Sequence, residues 1–433
     1  MVLRKVPALG SDVSRRSLLT GLGLGLGALA GLRAAPALAQ ETPLQAMMRA
    51  QAVREWQDKF DAGSAAPVNQ LKSDVPLLSP ETASAIEAVI PQYQSIVMQG
   101  GWGRVSAPMR MKVGTRSDSV LALRKRLQVT GDIPAQAVTT GYGDIFDSYV
   151  DAAVRRFQVR HGLRPDGIVD KTVLDVMNVP ADIRLRQLET NLVRVRSMSG
   201  FLGERYIFLN IPAAELEMVE NGRVVERHNA VVGKIDRQTP VLTSKVTEIN
   251  FNPYWHVPVS IIRKDLIPKM RVEPDYLAKN RIRVFDNRGQ EIPPQAINWE
   301  TDQAMQYQFR QDPGEINAMA TVKITFPNPH DVYMHDTPFR DLFGDNNRFY
   351  SSGCMRLQNI RSVIGWLLRD TPQWPSQAID DAIRNGTRVD AKLKTPVPVY
   401  TNYITAWATR EGVVHFRDDI YARDGVGELA SVQ

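Results

Sequence analysis

The sequence has little cysteine, little net charge and no long apolar runs, and each absence excludes a class of protein. Its 433 residues include one cysteine, Cys354, so no disulfide within the chain stabilises the fold. After the N-terminal segment, no stretch is apolar over the roughly 20 residues that a membrane-spanning helix needs. Hydrophobic residues make up 43% of the chain and charged residues 23%, which excludes a wholly disordered protein. At about 100–200 residues per domain, the length predicts two to four domains.

Most of the net positive charge lies in the first 39 residues, which have the pattern of an export signal. Without them the net charge falls from +6 to +2, so a surface that binds nucleic acid is not expected. Arg15-Arg16 is a twin-arginine pair, an apolar Gly/Leu/Ala run follows, and Ala37-Leu38-Ala39 matches a cleavage site. An uncleaved membrane anchor is the alternative, but the run is short and rich in glycine. We therefore predict a twin-arginine signal peptide over residues 1–39, a location in the periplasm or cell envelope, and no membrane span after cleavage.

Helical patterns occupy the chain from residue 40 to residue 203. Residues 40–104 predict a helical N-terminal region, and residues 181–203 a charged, amphipathic linker helix. Between them, residues 105–180 carry three apolar stripes at helical spacing. The Phe-Gln…His-Gly-Leu residues of 157–163 and the Asp166-Gly167 turn resemble the peptidoglycan-binding domain of many wall hydrolases and transpeptidases. An unrelated helical spacer is the alternative.

From residue 204 the apolar residues change from the spacing typical of helices to the two-residue alternation typical of strands. Asn221-Gly222, between two alternating apolar runs, is typical of a hairpin. Residues 204–424 are therefore predicted to form a β-rich (α+β) domain. Within it, the charged and proline-interrupted residues 263–312 are predicted to be an insertion that could act as a lid. Residues 425–433 are predicted to be a tail.

Cys354 is the candidate nucleophile, and a nucleophilic thiol needs a base close by. Of the six histidines, only His330 and His335 lie closely upstream of it. His335 ends an apolar strand, and the two-residue repeat places Tyr333 and His335 on the same face of that strand. No third ligand accompanies the two histidines, so no metal site is expected.

The residues around Cys354 suit an activated thiol. Gly353 permits a tight turn with open backbone N–H groups, as an oxyanion hole requires. Arg356, and the helix predicted from Ile360, are expected to lower the pKa of the thiol. From these residue types alone the pair of Cys354 and His335 is weak evidence, and a buried, inert cysteine is the favoured interpretation.

His335 and the segment Ser352-Gly353-Cys354-Met355-Arg356 resemble the signature of the YkuD-type L,D-transpeptidases, a histidine followed by Ser-Ser-Gly-Cys-x-Arg. Residues 252–258 and 335–338 are similar to those of the YcbB-like subfamily. Its members carry a peptidoglycan-binding domain and a capping insertion in the catalytic domain. One departure is His256, where asparagine is expected after the tryptophan.

The resemblance implies a multidomain protein. An α-helical peptidoglycan-binding module would precede a β-rich (α+β) catalytic domain with an inserted capping subdomain, without cofactor or metal. Cys354 would attack the diaminopimelate carbonyl of a donor tetrapeptide stem and release D-alanine. His335 would take the thiol proton and later activate the diaminopimelate amine of an acceptor stem, which gives a 3→3 crosslink. Carbapenem-type β-lactams are expected inhibitors.

The resemblance also implies roles for neighbouring residues. The N–H groups of Gly353 and Cys354 would hold the oxyanion, and Arg356 would support the loop or a substrate carboxylate. Each of the other candidate substrate-binding residues has an alternative: Ser352 bonds within the turn or is only a turn residue, Tyr333 and Trp255 are walls of the donor channel or core aromatics, and Arg348 pairs with a stem carboxylate or is a solvated loop residue.

Two rival functions remain open at this point. The same thiol chemistry with water or a protein amine as acceptor would give an L,D-carboxypeptidase, or an enzyme that attaches or releases wall-anchored proteins. A non-catalytic wall-binding scaffold would keep Cys354 inert.

Overall fold

The structure, a computed structural model, describes residues 71, 73–107, 110–133 and 143–425. The predicted signal peptide, most of the N-terminal region before residue 71, and the tail after residue 425 lie outside the described residues. Among the helices that are described, none combines the length and apolar character needed to cross a membrane.

The helical part consists of a first helix, a three-helix unit and a connecting helix. The helices are α1 Pro80–Met98, α2 Asp118–Val129, α3 Ser148–Arg160, α4 Lys171–Met177 and α5 Ala181–Met198.

Side-chain caps set the start of several of these helices. The Ser79 hydroxyl accepts the N–H of Thr82, and Pro80 occupies the first turn of α1. Asp147 and Asp170 cap α3 and α4 in the same way. The predicted three-helix unit is therefore present, and its core includes the fully buried Leu123, Leu127, Phe146, Val154 and Phe157.

Helix α5 was expected to link two domains, and it is also part of a core. Its residues Leu188 and Val195 pack with Tyr93 of α1 and with Phe208 and Phe416 from the β-rich region. The helical and β-rich parts therefore share buried apolar surface, which opposes their separation.

The β-rich region contains fifteen described strands: β1 Arg205–Asn210, β2 Glu215–Glu220, β3 Arg223–Gly233, β4 Leu242–Phe251, β5 Trp255–His256, β6 Ile282–Phe285, β7 Glu291–Ile292, β8 Gln308–Gln311, β9 Val322–Thr325, β10 Met334–His335, β11 Phe349–Ser351, β12 Met355–Leu357, β13 Val389–Asn402, β14 Ala406–Ala408 and β15 Val414–Phe416.

Nine of these strands form the main sheet, in the order β11-β3-β12-β10-β9-β4-β13-β1-β2. Strand β2 also pairs with β3, so the pairing closes into a ring. Helices α9 Ile360–Leu368 and α10 Ser376–Asn385 contribute Val363, Ile364 and Ile379 to its core.

Strand register separates an apolar row of side chains from a polar one. Ile249, Ile324, Met334 and Met355 are directly opposite one another on β4, β9, β10 and β12, and all four are fully buried. One residue along, the partners are Asn250, Lys323, His335 and Arg356. Because successive residues of a strand point to opposite faces, this polar row lies on the face away from the core.

The insertion is a subdomain with its own sheet and core. Its sheet has the order β5-β8-β6-β7, and its apolar core includes Ile262, Leu277, Val284 and Phe309. Its helical segments are α6 Val259–Ile261, a π-helical turn Ile262–Leu266, α7 Ile267–Val272 and α8 Tyr276–Lys279. The predicted start at residue 263 is late, because the charged composition begins only after strand β5.

Candidate active site

The candidate nucleophile lies in a turn whose shape requires glycine. Gly353 has φ +112°, a value that favours glycine, and a Cβ there would lie 3.4 Å from the Gln238 carbonyl. The Ser351 hydroxyl accepts the Gly353 N–H at 3.2 Å and donates to the Cys354 carbonyl at 2.5 Å. The Thr239 hydroxyl donates to the Gly353 carbonyl at 2.9 Å. These bonds fix the backbone on both sides of the thiol.

The same bonds change the expected oxyanion hole. Because the Gly353 N–H already donates to Ser351, it is not open to a ligand as the sequence predicted. Within the described part of the chain, the Cys354 N–H has no recorded acceptor.

A backbone carbonyl holds His335 in one tautomer. Its Nδ1 lies 2.6 Å from the Asp336 oxygen, and a carbonyl can only accept, so Nδ1 carries the hydrogen and Nε2 is left unprotonated. The Asp336 carboxylate in turn accepts from the Thr321 hydroxyl at 2.7 Å and from the Thr337 N–H at 2.8 Å. Burial, with Arg356 and Lys323 nearby, lowers the pKa of His335 to about 3.

Tyr333 joins the thiol, the histidine and the inserted subdomain. Its hydroxyl lies within hydrogen-bonding reach of the Cys354 thiol and the Trp255 indole. Its ring lies edge-on to His335, with the ring centroids 5.6 Å apart. Tyr333 was expected on the strand that His335 ends, but the regular strand β10 covers only Met334–His335, so Tyr333 directly precedes it. Burial raises the pKa of Tyr333 well above 10, so its hydroxyl keeps its proton.

The prediction of a lowered thiol pKa is wrong. Burial raises the pKa of Cys354, and the opposing effects of Tyr333, Lys323 and Arg356 do not overcome it. The resting site therefore holds a neutral thiol and a neutral imidazole rather than a thiolate–imidazolium pair.

Arg356 follows His335 in the polar row and has no ion-pair partner among the described residues. Its Nε is buried without a hydrogen bond. A half-buried guanidinium in this state is available to an anion.

The other two predicted polar contacts differ from expectation. Ser352 does not bond within the turn, since Ser351 has that place; its hydroxyl accepts from Arg237 at 2.9 Å. Arg348 is neither solvated nor available, because its guanidinium donates to the carbonyls of Asp345 at 2.9 Å and Ala213 at 2.8 Å. It braces the loop that precedes the nucleophile.

Sequence reasoning missed Lys323, Asp336 and Arg237. A signal existed for Lys323, which is a charged residue in the alternating run Val322–Thr325. Arg237 gave none, because its partners Ser352 and Asp265 are distant in the chain. Within the described residues, no group of three or more acidic, histidine or cysteine side chains is arranged to hold a metal ion.

Comparison with known proteins gives two domain matches. Residues 204–399 match the YkuD family model, described as the L,D-transpeptidase catalytic domain. Residues 116–177 match the model described as "Putative peptidoglycan binding domain". A curated Haemophilus influenzae protein named "Putative L,D-transpeptidase" is 32% identical over 248 residues, which are 57% of this chain. The match covers 50% of that protein, so the chain spans about half the length of this relative.

Two solved structures of L,D-transpeptidases show some likeness to the chain. The enzyme from Mycobacterium smegmatis is 13% identical, with 46% of this chain and 58% of that chain covered and a TM-score of 0.24. L,D-transpeptidase 3 from Mycobacterium tuberculosis, in complex with a faropenem-derived adduct, is 11% identical, with 46% and 60% covered and a TM-score of 0.24.

The two domain matches and the observed architecture confirm the predicted fold class. The chain carries a YkuD-type L,D-transpeptidase catalytic domain, preceded by a peptidoglycan-binding domain.

Proposed function

We propose that this protein forms 3→3 crosslinks in peptidoglycan through a thioester on Cys354. The observation that carries the proposal is the arrangement around the single thiol. The Tyr333 hydroxyl reaches the sulfur, and the Tyr333 ring lies edge-on to His335. The tautomer of His335 leaves Nε2 free to accept a proton.

In the first half-reaction, Cys354 sulfur attacks the carbonyl of the third residue, diaminopimelate, of a donor tetrapeptide stem. His335 Nε2 takes the thiol proton as the C–S bond forms, because the resting thiol is neutral. The Cys354 N–H is the donor suited to the oxyanion. When the intermediate collapses, the C–N bond breaks, His335 returns the proton to the nitrogen, and D-alanine leaves.

In the second half-reaction, the diaminopimelate amine of another stem attacks the thioester. His335 takes a proton from the amine and returns it to the departing sulfur, so the enzyme is restored and a new amide joins the two stems. The lowered pKa of His335 keeps the resting imidazole neutral with Nε2 unprotonated. It also makes the imidazole a weak base, so each proton transfer must accompany the making or breaking of a bond in the substrate.

Two further features support an anionic wall polymer as substrate. Arg356 carries a half-buried positive charge beside the catalytic pair, and stem peptides carry free carboxylates. The peptidoglycan-binding domain packs on the catalytic domain, where the Arg164 N–H donates to Asn346 of the loop before the nucleophile, at 2.7 Å.

The twin-arginine pattern supports a periplasmic location, and the capping insertion supports the YcbB-like subfamily. Carbapenem-type β-lactams are expected to acylate Cys354.

The deciding experiment is mass spectrometry of a disaccharide-tetrapeptide incubated with the purified protein. We expect a dimer that has lost one D-alanine, and no product from Cys354→Ala. His335→Ala is expected to lose at least a hundredfold in rate, whereas His330→Ala, at an exposed histidine five residues upstream, should keep activity.

Other products would replace the proposal. Tripeptide without dimer would assign the protein as an L,D-carboxypeptidase. A product only with an added wall-anchored protein would assign attachment or release. Unchanged substrate, with binding to cell-wall sacculi retained, would assign a scaffold.

A further inference from the structure

Lys323 is a charged residue beside the catalytic pair that the proposed reaction does not use. It lies on β9 in the polar row, directly opposite His335 on one side and Asn250 on the other. Its ammonium lies 4.5 Å from the centre of the Tyr333 ring. The same tyrosine therefore contacts both the ammonium, through its ring, and the thiol, through its hydroxyl.

Lys323 has no carboxylate partner of its own. Among the residues that the structure describes, it forms no ion pair and no recorded hydrogen bond. Glu248 lies within electrostatic reach but accepts from the Asn250 amide at 2.6 Å, and Asp331 acts only at longer range. A half-buried ammonium without a counter-ion lowers stability, so a ligand that pairs with it would recover free energy.

The neighbouring charges favour an anion as that ligand. His256, at the start of the inserted subdomain, has Arg310, Lys323 and Arg388 in its electrostatic surroundings. Arg388 is neutralised by Asp390 at 2.9 Å, and Arg310 stacks on Tyr254 at 4.7 Å. The edge between the main sheet and the insertion is therefore positive, with Lys323 next to the thiol.

We propose that Lys323 binds a free carboxylate of the donor stem next to the scissile amide, and so selects the stems that acylate Cys354. This inference rests on the proposed function. The terminal carboxylate of the leaving residue is the nearest candidate, because only its nitrogen and α-carbon separate it from the attacked carbonyl. The second source of the same chemistry is the side-chain carboxylate of the third residue. A stem extended by one residue would move the terminal charge away from Lys323.

The test compares three donors: the tetrapeptide, its C-terminal amide, and the tetrapeptide amidated on the side chain of the third residue. For Lys323→Met we expect kcat/KM on the tetrapeptide to fall about 10- to 100-fold, mainly through KM, as for a lost hydrogen bond between charged groups. One of the two amidated donors should be a poor substrate for the wild type, and Lys323→Met should not lower its kcat/KM further. The carboxylate that is amidated in that donor is the one that Lys323 binds.

Matched variants separate charge from structure. Lys323→Arg should restore part of the loss, and Lys245→Met, at an exposed lysine of β4 in the same sheet, should match the wild type. An equal loss on all three donors, or no loss on any, would overturn the inference. In either case wild-type turnover of the tetrapeptide would leave the proposed function intact.

A binding measurement keeps the two proposals distinguishable if the wild type makes no product. Calorimetry of the tetrapeptide with Cys354→Ala, and with Cys354→Ala carrying Lys323→Met, needs no turnover. Affinity that is 10- to 100-fold weaker in the double variant supports the inference, and equal affinity overturns it.

Discussion

At the scale of single residues, burial decides the protonation of His335 and Cys354 more than the neighbouring positive charges do. Two positive side chains, Lys323 and Arg356, flank His335 in the polar row and lower the pKa of both His335 and Cys354. For the histidine, burial acts in the same direction, and its pKa falls to about 3. For the thiol, burial acts in the opposite direction and dominates. Both groups are therefore neutral at rest, and the proton moves only as substrate reacts.

Alkylation of the free enzyme reports this neutral thiol. Because burial raises the pKa of Cys354, we expect the rate with iodoacetamide to keep rising, by up to about tenfold per pH unit, from pH 7 towards pH 9 without a plateau below pH 8. Cys354 is the single cysteine of the chain, so Cys354→Ala is a complete control for labelling. A rate that levels off below pH 8 would show a thiolate at rest and would contradict this description.

The residues around the thiol were only partly predictable. Cys354, Gly353 and His335 were predicted from one short motif, and the structure places them together with Tyr333. Lys323 was not predicted because only the pairing of β9 with β10 places it opposite His335. Arg237 was not predicted because it contacts Ser352 across 115 residues of the chain. The pKa of the thiol could not be predicted either, since burial is a property of the folded protein.

At the scale of elements, a three-membered contact links the insertion to the catalytic turn. The Arg237 guanidinium binds both carboxylate oxygens of Asp265, in the π-helical turn of the insertion, and also donates to Ser352, two residues before Cys354. Its side chain is 9% exposed, whereas that of Asp265 is 43% exposed. The Trp255 indole contact with Tyr333 is a second link. The insertion is thus held beside the thiol from two sides.

Breaking the Arg237 contact should loosen the insertion. For Arg237→Gln we expect faster hydrogen exchange over residues 259–272 and a KM for the donor stem raised about 3- to 10-fold, the effect of losing one partly exposed, two-pronged ion pair. Asp265→Asn should act alike, and the double variant should be no worse than either single one.

The matched control is Arg283→Gln. Arg283 forms ion pairs with Glu291 at 3.3 Å and Asp312 at 3.1 Å at the surface of the same insertion. The Arg283→Gln variant is expected to leave the KM for the donor stem unchanged. Strictly additive effects of Arg237→Gln and Asp265→Asn would argue that the two side chains act independently.

At the scale of the whole molecule, the helical unit and many strands follow from apolar periodicity, but the closure of the sheet does not. Strand β1 pairs with β13 through Ile207 and Val399, and the ring closes where β2 pairs with β3. The pairing of β2 with β3 is a local hairpin that Asn221-Gly222 predicts. The pairing of β1 with β13 joins segments nearly two hundred residues apart, for which the sequence carries no local signal. The core shared by α1, α5 and the C-terminal strands has the same long-range origin.

Long-range packing also buries histidines in their neutral form. His335 and His415 are each less than a tenth exposed, and the pKa of each is lowered to about 3. His415 stacks on Trp407 with 5.1 Å between ring centroids and bonds to the Leu71 carbonyl at 3.1 Å. The unfolded chain, in which histidine has its ordinary pKa near 6.5, binds these protons first as pH falls.

The free energy of unfolding should therefore fall as pH falls from about 6.5 towards 3. Each of these two histidines contributes a slope of about 1.4 kcal/mol per pH unit near pH 5. Urea unfolding at pH 7, 6 and 5 measures the slope, and His415→Gln should reduce it by the share of one proton even though it lowers stability at pH 7. His330→Gln, at an exposed position, should leave the slope as in the wild type. If His415→Gln keeps the full slope, its imidazole is not held neutral by burial, and the stacking on Trp407 tolerates the charged ring.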